Sequence, residues 1–519
     1  MTSGYRRVFL FFFLLITLAQ AQVSIAAGLS LPALFSDHMV LQFGQVIPIW
    51  GWADAGEKVN VTFRHFAVET TADSQGRWRV EIGPLDAGGP DRLVIAAGDE
   101  VIVIDDVLAG EVWLCSGQSN MAMTVNRCLD AEQEISSANF PQIRQFKVPN
   151  IKELNPQQDF AKPDSDDNQA YQCKWQQSTP ETTARFTAAG YFFARSLHQH
   201  LGNIPIGLIN SSWGGSLVEA WISRSALEKN SEIAPILNEW PDYTRHRESW
   251  RNSYKNYLEE LEKAKADGSR LPVSSLNPAV MYNGMIAPLV GYGMRGVIWY
   301  QGESNRFRPI QYSKLFQALI SDWRDQWGRD FPFLWVQLPN WDNPLQTWPL
   351  LRESQAAALN LPGTAMAVTI DVGERWDIHP RNKQAVGNRL AIAARKLVYL
   401  EKLPHMGPLL ESMTVEGNRC LVKLNNSGDS LATSDGNSPR CFEVAGKDQR
   451  FFPAEAVIKG AVVQIWSPEV TAPLAVRYAW ANNPDNPNLY STFRGKTWLP
   501  AAPFRTDSWD AMPALELID

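Results

Sequence analysis

Histidine is scarce, with seven in 519 residues, and no Cys/His spacing along the chain reads as a zinc site. The familiar metal motifs are therefore excluded. Neither a Gly-rich phosphate loop nor a dinucleotide fingerprint is present, so nothing in the sequence prepares a nucleotide site. Positive charge is short as well: 48 Lys and Arg against 55 Asp and Glu leave a formal charge of −7, with no basic stripe for nucleic acid or an anionic membrane. Beyond the N-terminus no segment is long and apolar enough to span a bilayer.

What is there begins with an export signature. Arg6 and Arg7 precede the apolar run from Val8 to Ile16, and Ala19-Gln20-Ala21 is a small-x-small cleavage site. The run is shorter than the roughly 20 apolar residues a spanning helix needs. Cleavage is thus expected over a retained anchor, with residues 1–21 as leader and a secreted or periplasmic chain starting near Gln22. In an oxidising compartment Cys420 and Cys441, flanking a Gly/Ser/Asn-rich turn region, form the expected disulfide, with Cys128 and Cys173 as a second candidate pair. Cys115 ends an apolar run with nothing basic beside it, and reads as a buried structural thiol.

With 45% hydrophobic content, a chain of this length is too long for one core. Residues 22–106 hold short alternating β runs broken by turns such as Asp86-Ala87-Gly88-Gly89-Pro90, which predicts a β-sandwich. From 107 to 402 the pattern becomes apolar strands followed by loops and helices, the signature of an α/β domain. Strands are expected at Val112–Leu114, Ile206–Ile209, Gly296–Tyr300, Phe333–Val336 and Ala365–Ile370. Helices are expected at Phe186–His200, Gln311–Gln326 and Lys383–Leu400. The Glu/Lys-rich stretch Tyr254–Asp267 reads as a solvated helix in an insertion. Residues 403–519 return to β runs among Gly, Asn, Pro and Asp clusters, a second β-rich unit. The twenty tryptophans are many, and those left on the surface can stack on sugars, although β-rich cores absorb most.

In an open α/β sheet ligands bind outside the carboxyl ends of the strands. Four loops at such ends carry polar residues. Gly117-Gln118-Ser119-Asn120-Met121 offers a serine, Trp213-Gly214-Gly215-Ser216 a glycine turn, Gln301-Gly302-Glu303 an amide and a carboxylate, and Asp377-Ile378-His379-Pro380 an acid–base pair. A serine hydroxyl needs an imidazole to take its proton, a carboxylate to orient that imidazole, and donors where an oxyanion forms. Each role has a candidate. Taken singly, each also has a structural reading: Gly214 and Gly215 can permit a positive-φ turn, Gln301 and Glu303 can cap a helix, and an isolated histidine is usually structural.

Longer strings carry a resemblance. Gly110-Glu111-Val112-Trp113-Leu114-Cys115-Ser116-Gly117-Gln118-Ser119-Asn120-Met121, Asn210-Ser211-Ser212-Trp213-Gly214-Gly215-Ser216, Tyr282-Asn283-Gly284-Met285-Ile286-Ala287-Pro288-Leu289 and Trp299-Tyr300-Gln301-Gly302-Glu303-Ser304-Asn305 resemble the sialate O-acetylesterase family, a branch of the SGNH (GDSL-like) hydrolase superfamily. So do Leu34–Gln42 and Pro503–Asp507. The resemblance spans essentially the whole mature length. It implies a flavodoxin-like three-layer sheet and removal of O-acetyl groups from sugars through a Ser-His-Asp acyl-enzyme route, without metal or cofactor. The leading substrate is 9-O-acetylated sialic acid, and acetylxylan or another acetylated plant polysaccharide is the alternative. Carried over by position, Ser119 is the nucleophile, His379 the base and Asp377 its orienting carboxylate. The Ser119 and Gly215 backbone N–H groups and the Gln301 amide receive the oxyanion, with Gln118, Asn120 and Glu303 beside them at the substrate. Two departures from the superfamily pattern stand out: Gln301 replaces its block-three asparagine, and Asp-x-His replaces Asp-x-x-His, which leaves Glu303 as reserve orienting carboxylate. Specificity is expected in the insertions Arg127–Tyr171 and Trp240–Leu276. Two other classes remain open at this point: a glycosidase using Glu303 and Asp377, which leaves Ser119 and His379 idle, and a non-catalytic glycan-binding protein.

Overall fold

The computed structural model describes residues 28–160, 172–238, 248–343 and 345–512. The expected leader lies outside this range, as do parts of both insertions.

Six strands precede the long central one: β1 (Val40–Gln42), β2 (Ile47–Trp52), β3 (Lys58–Phe63), β4 (Phe66–Thr71), β5 (Arg77–Ile82) and β6 (Gly88–Ala97). In β3 and β5 buried and exposed positions alternate strictly, as their apolar–polar sequence pattern requires. β3, β4 and β6 pair antiparallel, and β2 pairs with β5 in a separate two-stranded sheet.

β7 (Glu100–Gly117) is the spine of the molecule. Its first half pairs antiparallel with β6 and parallel with β1, and its second half is the centre of the main parallel sheet. The sequence pattern divides near residue 106, between the last of the short β runs and the strand expected at Val112–Leu114. The two are one strand, bent at Asp106, whose positive φ of 55° is held by the buried Arg144 guanidinium at 2.8 Å.

The main sheet adds β8 (Phe140–Lys147), β9 (Trp175–Ser178), β10 (Ile206–Ser212), β11 (Gly296–Tyr300), β12 (Phe333–Val336) and β13 (Thr364–Ala367). Its order is β13-β12-β11-β7-β10-β8-β9, parallel throughout except for edge strand β9. Strands buried on both faces read as unbroken apolar runs, which is why β11 and β12 were legible to the residue. After β7 the chain skips one position to β8, goes out to edge strand β9 and returns to fill β10 between β7 and β8, then crosses to β11, β12 and β13 on the other side. The crevice at the end of β7 is therefore a topological switch point.

Helices α1 (Ala188–His200) and α4 (Lys383–Leu397) cover one face, with Phe193 of α1 edge-on against Trp113 of β7. α2 (Pro309–Trp327) and α3 (Trp348–Ala356) pack together, and Phe316 of α2 lies against Trp299 and Trp335 of the sheet. This is the expected three-layer arrangement. The insertion helix runs from Glu248 to Asp267. Three further sheets of four, three and four strands complete the described C-terminal part.

One expectation fails. Among the described residues Cys420 is not bonded to Cys441, nor Cys128 to Cys173, so neither expected disulfide is present. Cys420 points into the core of one C-terminal sheet between Val415 and Ile465, whereas Cys441 precedes a strand of another and its Sγ donates to the Asp485 carbonyl. Cys115 is buried as expected, and burial pushes its thiol far above the ordinary range.

Candidate active site

The serine turn is built on a close approach that only glycine permits. Gly117 has φ of 138°, and a Cβ there would lie 2.2 Å from the Tyr300 carbonyl at the end of β11. That carbonyl accepts the Gln118 N–H at 3.0 Å, while the Gly117 carbonyl accepts the Trp213 N–H at 3.0 Å. The ends of β7, β10 and β11 are thereby tied together around Ser119.

His379 Nε2 lies 2.8 Å from Ser119 Oγ, within reach for proton transfer. Burial pushes the imidazole below its ordinary pKa. Asp377 opposes that shift, and the charges of Lys383 and Arg127 add to it. The short Asp-x-His spacing has a visible consequence: Asp377 Oδ1 accepts the backbone N–H of His379 at 2.8 Å and stands 3.6 Å from Nδ1. The carboxylate, 55% exposed, holds the loop through the main chain and faces the imidazole electrostatically without a hydrogen bond to the ring.

The Gly214-Gly215 turn sits against the serine, since a Cβ on Gly214 would lie 3.4 Å from Ser119 Cβ. Gly215 has φ of 77° and open space beside it. Among the described residues, neither the Ser119 nor the Gly215 backbone N–H is taken by a protein acceptor.

Gln301 departs from its expected role. Its buried amide donates to the Ser216 carbonyl at 3.1 Å and to Asn305 Oδ1 at 2.7 Å, so both N–H groups are committed and none is left for an oxyanion. It belongs to a buried lattice in which Asn305 also receives the Val218 N–H and donates to Glu219, itself paired with Arg308. Gln118 and Asn120 are likewise buried and act as supports. Gln118 Oε1 accepts the N–H groups of Gly302 and Ser304 at 3.5 and 3.3 Å. Asn120 Nδ2 donates to Glu303 Oε1 at 2.6 Å and to the Ile378 carbonyl at 2.9 Å.

Glu303 therefore does not serve as reserve partner. Among the described residues no hydrogen bond or ion pair joins it to His379, and burial pushes its carboxyl up against the opposing pull of Asn120, Lys383 and Arg306. Lys383 is the residue the sequence reading missed. Fully buried, it donates to Asn120 Oδ1 at 2.6 Å, lies 5.0 Å from the centre of the Tyr300 ring, and is pushed down to about 7 by burial. A signal was available: Lys383 opens α4, and a cation in the first helical turn opposes the helix dipole.

The family model described as carbohydrate esterase, sialic acid-specific acetylesterase, matches residues 109–396. A sialate O-acetylesterase of Homo sapiens is 31% identical, covering 93% of this chain and 94% of its own length. One of Mus musculus is 29% identical over 94% of this chain and 96% of its own. The solved structure of a carbohydrate acetylesterase from Xanthomonas citri superposes with a TM-score of 0.79 at 37% identity, covering 92% of this chain and all of that one. The chain is a carbohydrate esterase and belongs to the sialic acid-specific acetylesterase family.

Proposed function

We propose that the enzyme removes O-acetyl groups from sugars by covalent catalysis at Ser119, with His379 as general base and Asp377 as the charge that steadies the imidazolium. The observation that carries this is the 2.8 Å contact between His379 Nε2 and Ser119 Oγ at the switch point of the sheet. Ser119 Oγ attacks the acetyl carbonyl while its proton passes to Nε2. The oxyanion is received by the uncommitted N–H groups of Ser119 and Gly215. Collapse expels the sugar oxygen, which takes the proton back from Nε2, and water then cleaves the acetyl-serine by the same route.

The names of the relatives point to O-acetylated sialic acid, and that of the structural neighbour to acetylated carbohydrate in general. Sialate is our first substrate, with acetylated plant oligosaccharides as the second. Acetate release from a panel containing both, beside p-nitrophenyl acetate, decides between them. Turnover of the aryl ester with no acetylated sugar hydrolysed would contradict the carbohydrate reading. The N-terminal Arg pair and apolar run support export, and the change of pattern near residues 106 and 402 supports a catalytic domain between two β units.

A further inference from the structure

Among the described residues Trp376 is the one aromatic side chain left largely in solvent, at 76% exposure. A single exposed apolar residue is ordinarily unremarkable on a protein surface. Here both position and support are specific. Trp376 sits three residues before His379, at the tip of a turn closed by the Asp377 N–H on the Glu374 carbonyl at 3.2 Å. The turn is tethered at several points. The Arg381 N–H donates to Glu374 Oε1, the Asp342 N–H to the Arg375 carbonyl, and the Gly373 N–H to Asn340 Oδ1, each at 2.8 Å. The Arg375 guanidinium lies 4.7 Å from the Trp376 ring centre while its Nε and Nη2 both donate to Asp342 at 3.2 Å. One side of the indole is thus propped by a cation that is itself tied down, and the rest of the ring faces water.

We propose that Trp376 is a sugar platform, a specificity-determining residue whose open indole face stacks on a pyranose ring of the acetylated substrate and seats the ester over Ser119. A pyranose presents a flat C–H face with hydroxyls around its rim, the counterpart of a rigid, partly supported indole. The turn recognises ring surface rather than charge, because Arg375 is matched by Asp342 and Arg381 by Glu374. This inference rests on the carbohydrate-esterase reading above.

The test compares wild type, Trp376→Ala and Trp376→Phe on an acetylated sugar that the wild type hydrolyses and on p-nitrophenyl acetate, which has no pyranose to stack. The quantity read is the ratio of kcat/KM for the sugar to kcat/KM for the aryl ester. In Trp376→Ala this ratio should fall about ten-fold, mainly through KM for the sugar, and Trp376→Phe should restore most of it. An unchanged ratio overturns the platform, whether both activities persist or both fall together, and leaves the esterase reading standing. A wild type that turns over the aryl ester and no acetylated sugar overturns both.

Discussion

Asn120 Nδ2 donates to the Ile378 carbonyl over 2.9 Å, so the residue after Ser119 holds the residue before His379. The same side chain binds Glu303 from the loop after β11 and Lys383 from the start of α4, at 2.6 Å each. Elements that are far apart in sequence therefore meet on one buried amide, and the contact between Ser119 and His379 depends on it.

Asn120→Ala should consequently be far more costly than its size suggests. It strands a buried ammonium and a buried carboxyl, a loss of roughly 3 kcal/mol. A lower Tm and a fall in kcat exceeding any rise in KM are expected from thermal denaturation and steady-state kinetics. Unchanged Tm with unchanged kcat would mean the amide is not the hub.

The two glycine turns should respond differently to the same substitution. Gly117→Ala meets the Tyr300 carbonyl at 2.2 Å and should prevent recovery of folded protein. Gly215→Ala has room beside it and keeps the backbone N–H, so it should fold with a penalty of about 1 kcal/mol for left-handed φ. Circular dichroism of the two purified variants checks the contrast, and equal tolerance would contradict the close approach of β7 and β11.

The pH dependence follows from the charges around the imidazole. The base must be neutral to accept the serine proton, and burial holds His379 below the ordinary value of about 6.5, so kcat/KM should rise through a midpoint below that value. Asp377→Asn removes the charge that favours imidazolium and should move the limb further down. Lys383→Met removes a disfavouring charge and should move it up. That shift is readable because Lys383, at about 7, is still protonated at the pH of the limb. A midpoint above 6.5, or shifts of opposite sign, would contradict this arrangement of charges.

The catalytic strands were readable because they are doubly buried apolar runs, and the site loops because polar motifs follow them. The continuity of β7 was not, since the turn-like Asp105-Asp106 hides a bend held by Arg144, His38 and Gln177, all distant in sequence. Gln301 has donors of the right kind, but which acceptors they meet is decided by Asn305 and Ser216, brought there by the fold. The cysteine pairing failed for a similar reason: a shared turn region says nothing about which sheet each thiol enters. Asp377 shows the converse, because its two-residue spacing already places a carboxylate on the following backbone N–H, a local geometry an Asp in a turn favours.

The central claim is that Ser119 carries the acetyl group. The direct measurement is incubation with a fluorophosphonate, followed by peptide mass mapping and assay of acetate release. One adduct, on Ser119, formed in step with loss of activity and absent in His379→Ala, is the predicted result. Full acetate release from an enzyme whose Ser119 is modified, or from Ser119→Ala, would contradict it.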